Sequence, residues 1–451
     1  MLQEPQSWTS LVYKKETYPL RGLASHTCRN LQENSMRKFV LIVLYFGMLY
    51  ADEVDMFDVV DSDAASLSNE ETSNIHARVK LSYLMQNHSD NTRVAYGNIS
   101  QSETHYIYDI RAIANKDTYA LHIKDMYLKT NFDEKYFFEL GRMNVKEGVA
   151  RGYNPTDYFK GSPSFTLSNE PKEKKDNRLG TVLIQATAIY DDYTLKALYS
   201  PHISADEGSI WGQKKHFGLQ LNESNAEDRA TLYVGYTGLE DVSLSTLWHY
   251  DGDGSKLGLN VSYVDERSIW YMEASFGRNK SDMTNILQAQ SGSKTFAKVY
   301  GSKKRYRAEV SMGINYTASN NIVTTFEYIY NDAGFDSRDW KDYFLLSQDN
   351  PQYAGTLGMA RGLLASKEKM ISKHSLFMMA RESDVLPNLD WVTMAWVNPI
   401  DKSALLQVGI TYNYADVLFS VDMRSYAGKQ KSEYGSMQND YEALVSVEYY
   451  F

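Results

Sequence analysis

The chain of 451 residues has one cysteine, Cys28, and nine prolines. A single thiol cannot close an internal disulfide or build a thiolate metal cluster, so neither can hold this fold together. Scarce proline leaves long stretches free to pair as strands. Long apolar runs are also missing. The longest, Phe39 to Ala51, has thirteen residues, whereas a membrane helix needs about 18 or more. A bundle of transmembrane helices is therefore excluded. There is no basic excess either: 47 Lys+Arg stand against 57 Asp+Glu, a formal net charge of -10. That removes the electrostatic footprint of a nucleic-acid partner. What the chain does have is tyrosine, 35 residues beside 17 Phe and 7 Trp. So many amphipathic rings in a chain that is hydrophilic on average call for surfaces apolar at one end and wet at the other.

The apolar run follows Met36, Arg37 and Lys38 and ends at Ala51, before Asp52 and Glu53. A basic start, a short apolar stretch and a small residue before an acidic segment read as a secretory signal peptide over 36–51. A buried element of a soluble protein is the competing reading, but the run is short and its flanks fit export. Residues 1–35 are polar and aperiodic, and read as an upstream extension ahead of a start at Met36. Residues 52–72 form a short polar segment, and 73–451 carry the regular pattern.

That pattern has period two. Leu406, Val408, Ile410, Tyr412 and Tyr414 alternate with Gln407, Gly409, Thr411 and Asn413. Val417, Phe419, Val421 and Met423 alternate with Ser420, Asp422 and Arg424, and the same holds for 257–263, 306–316, 322–330 and 443–451. Alternation of this kind is strand, not helix. About eighteen such segments lie between Ile75 and Phe451. Polar linkers at 85–103, 278–303, 331–370 and 427–439 contrast with tight turns such as Asn115-Lys116-Asp117 and Asp265-Glu266. Apolar faces begin or end in Tyr263, Tyr316, Tyr330, Tyr412, Tyr449 and Phe451, as aromatic girdles at two bilayer interfaces would. The expected fold is all-β: a transmembrane antiparallel β-barrel of 16–18 strands. A soluble sandwich would break into domains of about 100–250 residues, and a propeller or β-helix would show a fixed repeat; neither sign is present.

Two stretches carry a resemblance. The last strand closes on Phe451 with Tyr449 and Val447 at alternate positions, which resembles the terminal signal of Gram-negative outer-membrane proteins. Gly141-Arg142, then Gly148 and Gly152-Tyr153-Asn154-Pro155-Thr156-Asp157, is similar to porin-like outer-membrane families in which a strand pair reaches a "GR" and then a lumen-side "NPTD" segment. The likeness covers about 80 residues closely. It implies a porin-like barrel in a Gram-negative outer membrane. Lipid and lipopolysaccharide would surround it, the barrel assembly machinery would read Tyr449 and Phe451, and small solutes would pass through it. A homotrimer is one assembly its aromatic faces allow. A strand count from the sequence places 145–177 at the end that carries the short turns.

With apolar faces toward lipid, the alternate positions line a lumen. The candidates are Arg78, Lys80, Arg111, Glu139, Arg305, Arg307, Glu309, Glu327, Asp422 and Arg424, with Lys124, Lys196, Asp109, Glu273 and Glu448 on the same faces. A barrel this wide leaves an aqueous channel, and facing walls of opposite charge select solutes; the plainer reading is cross-strand pairing that solvates the lumen. Arg151, Asn154 and Asp157 are the constriction candidates, their segment punctuated by Gly152 and Pro155; the alternative there is a self-capped turn. The expected function is passive diffusion of small hydrophilic solutes. The alternatives are a plugged transporter for hydrophobic compounds and a surface barrel whose loops, chiefly 331–370, adhere or support.

No catalytic residue, metal ligand set or cofactor motif is expected. The sequence has no H-E-x-x-H and no G-x-S-x-G. His249 lies near Ser243 and Ser245 on a polar face, a place where a nucleophile and a base are close in sequence. Asp251-Gly252-Asp253-Gly254 lacks the remaining ligands of a calcium loop, and Gly292-Ser293-Lys294 has no phosphate-loop spacing.

Overall fold

The computed structural model describes residues 74–115, 119–162, 164–204, 215–218, 220–252, 254–281, 283, 303–349, 351–366 and 368–451. The upstream extension, the signal peptide, the 52–72 segment and Gly292-Ser293-Lys294 lie outside them.

Nineteen strands follow in chain order: β1 (Asn74–Gln86), β2 (Thr92–Ser102), β3 (Tyr106–Asn115), β4 (Tyr119–Phe132), β5 (Tyr136–Met143), β6 (Thr181–Ile189), β7 (Tyr193–Ser200), β8 (Lys215–Gly218), β9 (Arg229–Leu239), β10 (Val242–Asp251), β11 (Gly254–Asp265), β12 (Ser268–Asn279), β13 (Arg305–Thr317), β14 (Val323–Asn331), β15 (His374–Leu386), β16 (Leu389–Asn398), β17 (Ser403–Tyr414), β18 (Val417–Ala427) and β19 (Tyr441–Tyr450). Eighteen of them form one antiparallel ring. It closes where β1 meets β19, from Arg78 opposite Tyr450 to Gln86 opposite Glu442. The short β8 stands outside the ring order, parallel to the start of β4, while β7 pairs directly with β9. Closure leaves no strand edge unpaired, the condition for crossing a bilayer with strands.

The two faces of the ring are those the alternation predicts. Leu81, Met126, Leu128, Leu257, Val408 and Met423 are exposed on the outer face. So much contiguous apolar surface would be a liability in water and suits lipid. Outward rings cluster at both ends of the strands: Tyr136, Tyr263, Tyr316, Tyr412 and Tyr449 at one, Tyr250, Phe276, Tyr306 and Tyr441 at the other.

The ends differ. One carries the tight connections 133–135, 190–192, 240–241, 266–267, 387–388 and 415–416, where Asp133, Glu134, Asp241, Asn388 and Ala415 take positive φ. The other carries 144–180, 201–228, 280–304, 332–373 and 428–440. The segment 144–180 thus leaves from the long-connection end, which corrects the expectation for 145–177. Residues 85–103, expected to be a linker, contain β2, so five strands and not four precede residue 144.

Four helices complete the described structure: α1 (Pro171–Asp176), α2 (Leu221–Ser224), α3 (Ser337–Asp349) and α4 (Pro351–Ser366). The stretch 331–370, read from the sequence as a loop, is therefore mostly a helical hairpin. Phe335, Trp340 and Tyr343 pack with Leu357, Ala360, Leu364 and Ile371 to give it a core of its own.

Candidate functional site

The segment between β5 and β6 turns back into the barrel and crosses to the far wall. Its main chain lacks regular structure over 144–162, so its polar groups need partners elsewhere. Wall side chains supply them. Glu273 on β12 accepts from the N–H groups of Val149 and Ala150, from Asn154 Nδ2 at 3.0 Å and from Thr156 Oγ1 at 3.1 Å. Glu327 on β14 accepts from the N–H groups of Arg151, Gly152 and Tyr153. Glu309 on β13 accepts from the Tyr153 hydroxyl, and Asn260 Oδ1 of β11 lies 2.8 Å from the Thr156 hydroxyl, which shares its one proton between Asn260 and Glu273. Farther along, Arg424 of β18 donates to the Leu167 carbonyl at 2.6 Å.

Between this segment and the wall formed by β16–β19 and β1–β3 lies a cavity of about 350 Å³. Arg78, Lys80, Arg111, Asp422 and Glu448 line it from the wall, and Glu170, Glu173 and Asp176 line it from the segment. The cations there are already engaged. Arg78 meets Glu448 at 2.9 Å, Lys80 meets the same carboxylate at 3.7 Å, and Arg111 meets Asp109 at 3.0 Å. Asp176 holds Lys146 and Lys172 at 2.6 and 2.8 Å. Glu170, Glu173 and Asp422 have no ion-pair partner within 4.0 Å among the described residues. The cavity therefore offers surplus negative charge.

The residues singled out from the sequence fall into five groups. Arg78, Lys80, Arg111 and Asp422 come together around the cavity. Glu139 lies on another part of the wall, where it accepts from Gln185. Glu309, Glu327 and Arg424 point inward, but the segment covers them, and they hold it instead of facing open water. Arg307 bonds the carbonyls of Asn279 and Asp332, and Arg305 is exposed at the loop end, 3.7 Å from Asp332. Within the segment, Arg151 is exposed, Asn154 bonds the Ala150 carbonyl at 2.7 Å, and Asp157 is buried against Arg178 at 3.0 Å. Arg151 and Asp157 therefore do not face each other across an opening. The sequence reading did not single out Arg178, Tyr153 or Glu170 as site residues. Gly148 and Gly152 were the available signal, because a main chain that touches carboxylates has no room for side chains.

Three groups of the segment are displaced far enough toward neutrality to titrate near neutral pH. Burial, reinforced by Glu173 and Asp422, pushes the Glu170 carboxyl up to about 7. Burial brings Lys160 down to about 8, with Lys369 adding repulsion and Glu309 opposing it. Burial likewise brings Lys174 down to about 8, with Glu368 opposing and Arg424 adding.

The residues weighed for catalysis and for metal binding have local partners. His249 is buried, bonds Thr231 Oγ1 at 2.8 Å and stacks on Tyr158, while Ser245 bonds Asn260. Asp251 bonds the N–H of Gly254 at 3.0 Å and Lys256 at 2.9 Å, which is the work of a hairpin tip.

No protein-family model matches the chain, and no curated protein matches its sequence. Solved structures do match. OccAB1 of Acinetobacter baumannii aligns with a TM-score of 0.54 at 9% identity, over 84% of this chain and 97% of that one. The chain has the fold of such barrels. OpdK of Pseudomonas aeruginosa, an outer-membrane protein solved with vanillate, aligns with a TM-score of 0.52 at 8% identity, over 84% and 99%. OccK11 (OpdR) of the same organism aligns at 0.50 and 8%, over 84% and 96%.

Proposed function

We propose that the chain is a channel of a Gram-negative outer membrane that lets small hydrophilic solutes diffuse passively. One observation carries this reading: a closed ring, apolar outside and charged inside, whose lumen is narrowed by its own segment 144–180. A closed ladder satisfies every wall N–H and C=O in lipid, and polar side chains keep the interior wet. The fold shared with OccAB1 and OpdK supports it. The uncompensated Glu170, Glu173 and Asp422 favour cations over anions of equal size.

The same reading assigns the surroundings. Tyr449 and Phe451 end the last strand with their rings 4.6 Å apart, in keeping with an assembly signal read by the barrel assembly machinery. The outer apolar belt would meet lipid and lipopolysaccharide, and a homotrimer would cover part of it. Single-channel recording of the folded chain in a planar bilayer tests the function. Stable ohmic steps with a cation-selective reversal potential are expected. A folded barrel that passes no current would overturn the channel reading.

A further inference from the structure

We infer that Glu273 and Glu327 are positioning residues that set the width of the channel by gripping the main chain of the infolded segment. This role presupposes the channel reading above and assigns the part of the wall that makes it narrow.

Five consecutive main-chain N–H groups, from Val149 to Tyr153, end on these two carboxylates. Glu273 sits on β12 and Glu327 on β14, with β13 between them. Both side chains are fully buried. A buried carboxylate needs compensation, and it ordinarily comes from Lys or Arg. Among the described residues neither glutamate has such a partner within 4.0 Å. The compensation comes from N–H dipoles of the segment, from the Tyr271 hydroxyl on Glu327, and from Asn154 and Thr156 on Glu273. Bonds to an ionised acceptor are the strong kind, and a carboxylate can take several at once.

The segment is shaped for the grip. Gly148 lies at φ 95°, and a Cβ there would stand 2.5 Å from Glu273 Oε1. At Gly152 a Cβ would stand 2.8 Å from Glu327 Oε2 and 2.6 Å from the ring of Phe377. A side chain is thus excluded at both points where main chain meets carboxylate, and Phe377, fully buried, forms the floor under the second. Between the two grips Arg151 projects into the open.

Glu273→Gln and Glu327→Gln, singly and together in the full chain, test the role. Glutamine offers one acceptor oxygen and turns an NH₂ toward N–H groups. Two readouts are taken on barrels shown to be folded by their heat-dependent gel shift: single-channel conductance, and hydrogen exchange of the main-chain amides of 149–153. Conductance is expected to rise with added flicker, and exchange to quicken roughly tenfold or more as the main chain lets go. Folded variants with wild-type conductance and wild-type exchange would overturn the grip. A wild-type barrel that is silent, in variants of which exchange still quickens, would leave the grip standing and remove the channel reading. Should the double variant not fold, Glu327→Gln alone and Gly152→Ala put the same question, the latter by wedging a methyl between Phe377 and Glu327.

Discussion

Arg178 and Asp157 meet at 3.0 Å inside the barrel, both buried. The same guanidinium donates to the Val145 carbonyl at 2.7 Å and to Asn144 Oδ1 at 3.1 Å. One side chain on the returning limb therefore ties the outgoing limb and the tip. The segment is locked on itself by Arg178 and onto the wall by the glutamates.

Removing the guanidinium should release that lock. Arg178→Met leaves Asp157 buried without its cation, a defect worth about 3–5 kcal/mol locally. Asp157→Asn should cost less, because Arg178 keeps two neutral acceptors. Hydrogen exchange across 144–180 measures both, with faster exchange expected in the order Arg178→Met, Asp157→Asn, wild type. Equal protection in all three would refute the lock.

How much of this was legible in the residues varies with the distance between partners. The ring was readable because lipid and lumen face alternate residues within each strand, so Leu406 to Tyr414 announce themselves locally. Strand β2 escaped for a physical reason: its outward face reads Arg93, Ala95, Gly97, Ile99 and Gln101, with a single large apolar residue, which does not print the alternation. Helices α3 and α4 were hidden because polar and aromatic residues of 331–370 resemble any long loop until Trp340 and Leu357 meet. The segment 149–157 stood out by its irregularity. Its holders did not, since Glu273 and Glu327 lie more than a hundred positions away and look like every other luminal carboxylate.

The cavity carboxylates make a prediction about selectivity. Glu170, Glu173 and Asp422 have no cationic partner within ion-pair range, so neutralising them removes charge that a permeating cation feels. Glu173→Gln with Asp422→Asn should lower the cation preference seen in the reversal potential, and Lys80→Ala should raise it. Reversal potentials that ignore both substitutions would place the selecting charges elsewhere. Barrel stability should change little, because half-exposed luminal charges contribute only about 0–1 kcal/mol each.

The helical hairpin distinguishes a channel lid from an adhesive loop. Trp340 Nε1 donates to Ser372 Oγ at 3.0 Å, and Arg361 reaches Ser436 Oγ at 2.8 Å. Just beyond α4, Glu368 stands 3.9 Å from Arg178 and Lys369 3.8 Å from Glu309. The hairpin is thus anchored inward, to the groups that hold the infolded segment. Replacing 337–366 with a short Gly-Ser linker should alter conductance and gating noise. A replacement that leaves both untouched while abolishing attachment of cells to a surface would favour the adhesive reading.

Finally, the lumen should gain cation preference smoothly as the pH rises. Glu170 is held up to about 7 by burial and by Glu173 and Asp422, so it is neutral below that value and negative above it. Lys160 and Lys174 are held down to about 8 by burial, so they are cationic below that value and neutral above it. Each step on raising the pH makes the lumen more negative; from pH 6 to pH 9 the three together shift it by about three charges. Cation selectivity should therefore climb across this interval. In Glu170→Gln the rise should begin about one unit later, because only the lysines remain to titrate. The check is the reversal potential under a fixed salt gradient at several pH values. A flat profile in the wild type would show that these groups sit away from the path of the ions, whereas an unchanged rise in Glu170→Gln would assign the whole effect to the lysines.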